Sequence, residues 1–164
     1  MIFRKNKKLP KNFILDVDGV LTDGKFYYTQ EGKTLKAFSV DDHDALKYIA
    51  NFLSIHVITA DSSGFEITKK RIVDDMNLSL DVVPVAERPK WISDRFNLGE
   101  TIYMGDGLFD PIVFNIVMYS IAPANSMDST KSKANFITRS NGGDRAVAEA
   151  CLHILEKFFG TKIK

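Results

Sequence analysis

Short apolar runs, each closed by acids, hydroxyls or glycines, recur along the chain, and amphipathic stretches separate them. Phe13-Ile14-Leu15 leads into Asp16-Val17-Asp18-Gly19, Ile55-His56-Val57-Ile58 into Thr59-Ala60-Asp61, and Thr101-Ile102-Tyr103-Met104 into Gly105-Asp106-Gly107. Runs of this length ended by turn residues predict buried parallel strands that open into loops. Val82-Val83-Pro84-Val85, Tyr119-Ser120-Ile121-Ala122 and Asn135-Phe136-Ile137-Thr138 are further strand candidates. Between the runs the apolar spacing becomes helical. Ala45, Leu46, Ile49, Ala50 and Leu53 stripe a helix over 42–53, with Asp41 or Asp42 as its N-cap. Phe65, Ile72 and Met76 mark the inner side of a second helix, and 88–96 is a short third. Pro111 suits the first turn of a fourth, where its missing N–H costs little. Val147, Cys151, Ile154, Leu155 and Phe158 mark a terminal helix after Gly142-Gly143. Strands that alternate with helices predict an α/β fold, a parallel sheet with helices on both faces.

One segment breaks the alternation. Lys25–Tyr28 and Thr34–Phe38 flank Thr29-Gln30-Glu31-Gly32-Lys33, a β-hairpin pattern with a glycine turn. It carries Phe26, Tyr28, Leu35 and Phe38, and a lone hairpin is marginal in water. The flap over 25–38 must therefore cover this chain's own site or another chain.

Length and composition narrow the function classes. A chain of 164 residues without repeat or linker is one domain, here 1–164, with 1–10 as an N-terminal tail. Lys plus Arg number 22 against 21 Asp plus Glu, so no net field favours nucleic acid or a membrane surface. The single cysteine, Cys151, excludes an intramolecular disulfide and sits on an apolar helical face. No apolar run reaches membrane-spanning length and no signal peptide is visible, so a cytoplasmic protein is expected.

The chemistry gathers at the strand ends, where open α/β sheets bind ligands. Asp16 and Asp18 stand there, with Val17 pointing inward. Two carboxylates so close repel unless a cation lies between them or one is protonated. Mg²⁺ is the natural filler, because it takes oxygen ligands and keeps several waters. Thr59 ends the second strand, where a hydroxyl and adjacent N–H groups suit a phosphate oxygen; alone it also reads as a helix cap. Lys90 lies at the start of the helix after the third strand. Asp106 and Asp110 are spaced to face one spot, although each would also serve its helix dipole.

Asp16-Val17-Asp18-Gly19-Val20-Leu21-Thr22-Asp23-Gly24 resembles the first motif of the haloacid dehalogenase superfamily, Asp-x-Asp-Gly-x-x-x-Asp-Gly. The four loops match that superfamily's four motifs in order, over essentially the whole chain. The resemblance implies a Rossmann-like core and a phosphatase. Asp16 would be the nucleophile and Asp18 the general acid and base. Thr59, Ala60 and Lys90 would hold the phosphoryl oxygens, with Arg88 as the alternative to Lys90. Asp16, the Asp18 carbonyl and Asp106 would hold Mg²⁺, with Asp110 behind them. The flap, Lys36-Ala37-Phe38-Ser39-Val40-Asp41-Asp42 and Asn141-Gly142-Gly143 are similar to the 3-deoxy-D-manno-octulosonate 8-phosphate phosphatase group. That implies a sugar or sugar-acid phosphate substrate, no cap domain, and a homotetramer in which the flaps meet. Arg145 becomes a candidate for a substrate carboxylate, or else simply begins the last helix in solvent. Ala60-Asp61, Asp42-His43-Asp44-Ala45 and Gly142-Gly143-Asp144-Arg145 depart from the group's pattern and leave the substrate open. The rivals are a phosphatase of another small phosphate and a catalytically idle tetramerisation module.

Overall fold

A computed structural model describes residues 8–162. Six strands form one sheet in the order β5-β4-β1-β6-β7-β8, every pair parallel. They are β1 (Asn12–Asp16), β4 (Ser54–Thr59), β5 (Leu80–Val82), β6 (Thr101–Met104), β7 (Tyr119–Ala122) and β8 (Phe136–Ile137). The chain runs outward from β1 through β4 to β5, then returns to β6 on the other side of β1. That reversal leaves a crevice beyond the carboxyl end of β1, the usual binding position in such sheets.

The two-residue period of the strands sorts the core. Phe13 and Leu15 join Val57, Ile102, Met104 and Ile121 on one face. That face packs against α1 (Val40–Ile49), the helix following β4 and α6 (Ala146–Ile154). Ile14 joins Ile58, Tyr103 and Ala122 on the other, against α3 (Arg88–Arg95) and α4 (Asp110–Phe114). Asp16 shares the parity of Ile14, so its side chain emerges on the α3 and α4 face. Val17 is buried in the opposite cluster. The helix after β4 begins as α2 (Phe65–Lys69) and widens over Lys70–Asp75. A short α5 (Asp128–Lys131) precedes β8.

Several boundaries differ from the sequence expectation, α1 among them, which covers 40–49 rather than 42–53. The strand expected over 82–85 is β5 instead, since Pro84 has no N–H to continue a ladder and 85–87 form a turn. The hairpin turn is tighter than expected: β2 (Tyr27–Thr29) pairs with β3 (Gly32–Leu35) across Gln30-Glu31. Phe38 packs against the core, while Tyr28 and Leu35 remain 67% and 63% exposed. No cap domain is present among the described residues, and no helix there is long and apolar enough to cross a membrane.

Asp42 does not cap its own helix. Ser39 precedes α1 without a side-chain cap, and the buried Asp42 Oδ1 accepts a hydrogen bond from Ala148 N–H (2.8 Å) in the first turn of α6. Burial pushes this carboxyl up from 3.8 to about 6, against the pull of the Ala148 and Val147 N–H groups. The folded state therefore holds an extra proton between those values. Asp42's contribution is complete below pH 4 and lost as pH rises through about 6, a change on the order of 3 kcal/mol. Asp42→Asn keeps the acceptor and removes the titration. Urea unfolding of both proteins from pH 4 to 7 should show the variant gaining on the parent as pH rises; parallel profiles would contradict this account.

Candidate active site

The turn after β1 is built by glycines and one threonine. Gly19 and Gly24 adopt φ of +88° and +76°, a region that side chains rarely enter. A Cβ on Gly19 would lie 2.0 Å from Asp106 Oδ2, so the loops after β1 and β6 meet only because that carbon is missing. The buried Thr22 hydroxyl accepts from Gly19 and Gly24 N–H, both at 3.3 Å. Gly142 and Gly143 back the same turn. A Cβ on Gly142 would lie 1.9 Å from Gly19 O, and one on Gly143 2.5 Å from Asp23 N. Gly143 N–H donates to Val20 O (3.1 Å).

Three carboxylates and one guanidinium fill the α3 and α4 side of the crevice. Asp16, Asp106 and Asp110 each place an oxygen within 4.8 Å of the other two. Arg88, at the first position of α3, donates Nη1–H to Asp16 Oδ2 (2.6 Å) and Nη2–H to Asp16 Oδ1 (3.0 Å), a bidentate fork. Arg88 Nη1 also reaches Asp110 Oδ1 (3.2 Å) and the Tyr103 hydroxyl (3.1 Å), and Tyr103 donates to Asp110 Oδ1 (2.7 Å). Asp110 Oδ2 accepts from Gly107 N–H (2.8 Å). Burial pushes Asp16 up to about 6, with Arg88 opposing, and burial plus the Asp16 and Asp110 charges push Asp106 up to about 7. One arginine cannot balance three acids. An all-oxygen set with surplus negative charge suits a hard divalent cation, whose arrival would relieve the strain on Asp106.

Asp18 points elsewhere. Its Oδ2 accepts from the Thr59 hydroxyl (3.1 Å), which in turn accepts from Asp61 N–H (3.0 Å). Its Oδ1 pairs with Lys36 Nζ at 2.8 Å. The two acids of the first turn thus serve different surroundings: Asp16 faces the acid cluster and Arg88, Asp18 faces β4 and the flap.

The expected residues mostly converge here. Asp16, Asp18, Thr59, Asp106 and Asp110 ring the crevice, and Ala60 follows Thr59 at its edge. Lys90 is a correction: its side chain is 80% exposed and pairs with Asp94 on the outer side of α3. Two positions along a helix lie about 200° apart, so Lys90 faces solvent because Arg88 faces in. Arg145 sits in a left-handed conformation with its Nε bonded to Asp144 Oδ1 (3.2 Å), largely exposed. Lys36 and Tyr103 were missed from sequence. A cavity of about 120 Å³ opens beside Asp16 and Arg88, walled by Val85, Leu108 and Phe109. A wider groove of about 600 Å³, lined by Lys11, Ser54 and Asn77 among others, has no acid in its walls and lies at the opposite end of the strands.

A family profile for haloacid dehalogenase-like hydrolases matches residues 93–151. The 3-deoxy-D-manno-octulosonate 8-phosphate phosphatase KdsC of Yersinia pestis is 31% identical over 153 residues, 87% of this chain and 78% of that protein. The chain belongs to this family of phosphatases. The corresponding enzyme of Moraxella catarrhalis, solved with magnesium, phosphate and KDO, superposes with a TM-score of 0.77 at 27% identity, covering 91% of this chain and 87% of that one. The cobalt-bound enzyme of Haemophilus influenzae gives 0.78 at 25% identity, covering 91% and 89%. Both metals in these relatives accord with the acid cluster here.

Proposed function

We propose that this phosphatase hydrolyses a sugar or sugar-acid phosphate of the 3-deoxy-D-manno-octulosonate 8-phosphate type through an aspartyl-phosphate intermediate. The division of labour between Asp16 and Asp18 carries this reading. Asp16 attacks phosphorus, and Asp18 gives its proton to the departing alkoxide. Asp18 then takes a proton from the water that cleaves the aspartyl phosphate. Thr59 and Arg88 would donate to the phosphoryl oxygens, with Arg88 rather than the outward-facing Lys90 in that role. Asp16, Asp106 and the Asp18 carbonyl would hold Mg²⁺, with Asp110 orienting Arg88. When bound, the ion offsets phosphate and carboxylate charge. The names of the relatives support the substrate class, and the Moraxella complex supports the metal.

Phosphate release from a panel of sugar and sugar-acid phosphates tests it. Hydrolysis should require Mg²⁺, vanish in excess chelator and return on adding the ion. Full activity in chelator would remove the metal from the mechanism, and silence on every ester would favour the idle-module reading. We also propose a homotetramer. Tyr27, Tyr28 and Leu35 on the flap and Val40 beside it are exposed, more apolar surface than a solvated hairpin requires. Sedimentation at micromolar concentration should report four chains, and a fully active monomer would sink that assembly.

A further inference from the structure

The flap does more than lie over the site. Lys36, directly after β3, has a fully enclosed side chain whose Nζ sits 2.8 Å from Asp18 Oδ1 and 2.9 Å from Asp61 Oδ2. Both are ion pairs rather than aligned hydrogen bonds; the aligned bond goes to Thr68 Oγ1 (2.9 Å). Lys33 reaches Asp61 Oδ1 at 2.5 Å, and its Nζ lies 3.6 Å from the centre of the Phe26 ring. Charges alternate along a single file: Lys33, Asp61, Lys36, Asp18, then the Thr59 hydroxyl. The flap supplies both cations and the body of the protein both anions. Burial alone would raise the Asp61 carboxyl, yet Lys33 and Lys36 hold it below the usual carboxylate range.

An anchor for the hairpin needs only the pairs on Asp61. It does not require a buried lysine on Asp18, because burying an ammonium is costly unless its partners are well placed. The Asp18 carboxylate is gripped from two sides, Oδ2 by Thr59 of β4 and Oδ1 by Lys36 of the flap. The end of the flap also meets the motif turn directly, since Thr22 bridges to Phe38.

We propose that Lys36 is a positioning residue that sets the Asp18 carboxyl on the leaving-group side of the site, so that seating the flap and placing that carboxyl are one event. The proposal rests on the phosphatase reading above, with Asp18 as the acid. In the step concerned, a bond forms between Asp16 oxygen and phosphorus while the bond from phosphorus to the ester oxygen breaks. The Asp18 proton passes to that departing oxygen, and Lys36 keeps its own protons throughout.

Leaving-group chemistry separates this role from a structural one. An alkoxide must be protonated as it departs, whereas para-nitrophenolate leaves without a proton. The ratio kcat/KM covers the reaction only through ester cleavage, so later hydrolysis of the phosphoenzyme does not enter. Lys36→Met should lower kcat/KM about a hundredfold on ethyl phosphate and less than about tenfold on para-nitrophenyl phosphate. Lys36→Arg should restore part of the ethyl phosphate activity; if Lys36→Met does not fold, Lys36→Arg alone should still show a smaller selective loss. Equal losses on both esters, or none, would overturn the proposal. A second arm needs no turnover: urea midpoints of Lys36→Met, Asp18→Asn and the double variant. Shifts that do not sum are expected, and additive shifts would overturn the contact on which the proposal stands. If the parent protein cleaves neither these esters nor any member of the sugar-phosphate panel, the phosphatase reading fails on its own, and the unfolding arm still decides whether Lys36 holds Asp18.

Discussion

Asp16→Asn is expected to abolish turnover, by about four orders of magnitude or more, and to leave no phosphoenzyme. The substitution is nearly isosteric. Asn keeps an oxygen for the Val17 N–H that Asp16 now satisfies at 2.8 Å, and it removes one of three crowded charges. The amide nitrogen cannot accept from Arg88 as Asp16 Oδ2 does, so stability falls too, and inactivity is assigned to chemistry for a variant whose melting curve shows it folded. Asp18→Asn is the control. It keeps the proposed nucleophile and loses the proposed proton carrier, so both steps should slow by about a hundredfold while phosphoenzyme still forms. Intact-mass measurement after rapid acid quench distinguishes the two. An active Asp16→Asn protein would place the nucleophile elsewhere.

The second large effect separates two cations on one helix. Arg88 is 3% exposed and touches Asp16, Asp110 and Tyr103. Arg88→Met leaves those carboxylates buried without their cation, a loss of about 3–5 kcal/mol when one partner of a buried pair is removed. Activity should fall with it, because both the Asp16 clamp and the proposed phosphoryl donor disappear. Lys90→Met removes an exposed pair with Asp94, worth less than about 1 kcal/mol. It should match the parent in melting temperature and in kcat/KM. The reverse pattern would return the phosphate-binding role to Lys90.

The difference between those residues shows what the chain made legible and what it did not. Strand ends were readable because an apolar run stopping at Asp16 or Thr59 is a local signal, and the acids that follow lie where the sheet opens. Lys90 and Arg88 could not be told apart by spacing, since both fall in one helical turn and only the packing of α3 decides which faces β1. Pro89 between them is compatible with either. Tyr103 lay hidden inside an apolar run, where nothing marks a hydroxyl that will bridge Arg88 and Asp110. Lys36 was invisible for another reason. An enclosed lysine is explicable only by partners far along the chain, here Asp18 and Asp61, and no local pattern announces them. Asp41 or Asp42 was read as the cap of α1, whereas Asp42 bonds the first turn of α6.

The central place of β1 has a consequence for the order in which the molecule is made. Its residue Asn12 pairs with Ser54 on one side and Thr101 on the other, so one flank stays open until β6 has been synthesised and docked. Until then Phe13, Ile14 and Leu15 form part of an unpaired edge, the kind of surface that recruits other chains. Arg88, Asp106 and Asp110 reach Asp16 in the same late stage. A nascent chain therefore carries Asp16 from the start without the residues that surround it, and the long-range closure that completes the sheet is also what assembles the acid cluster.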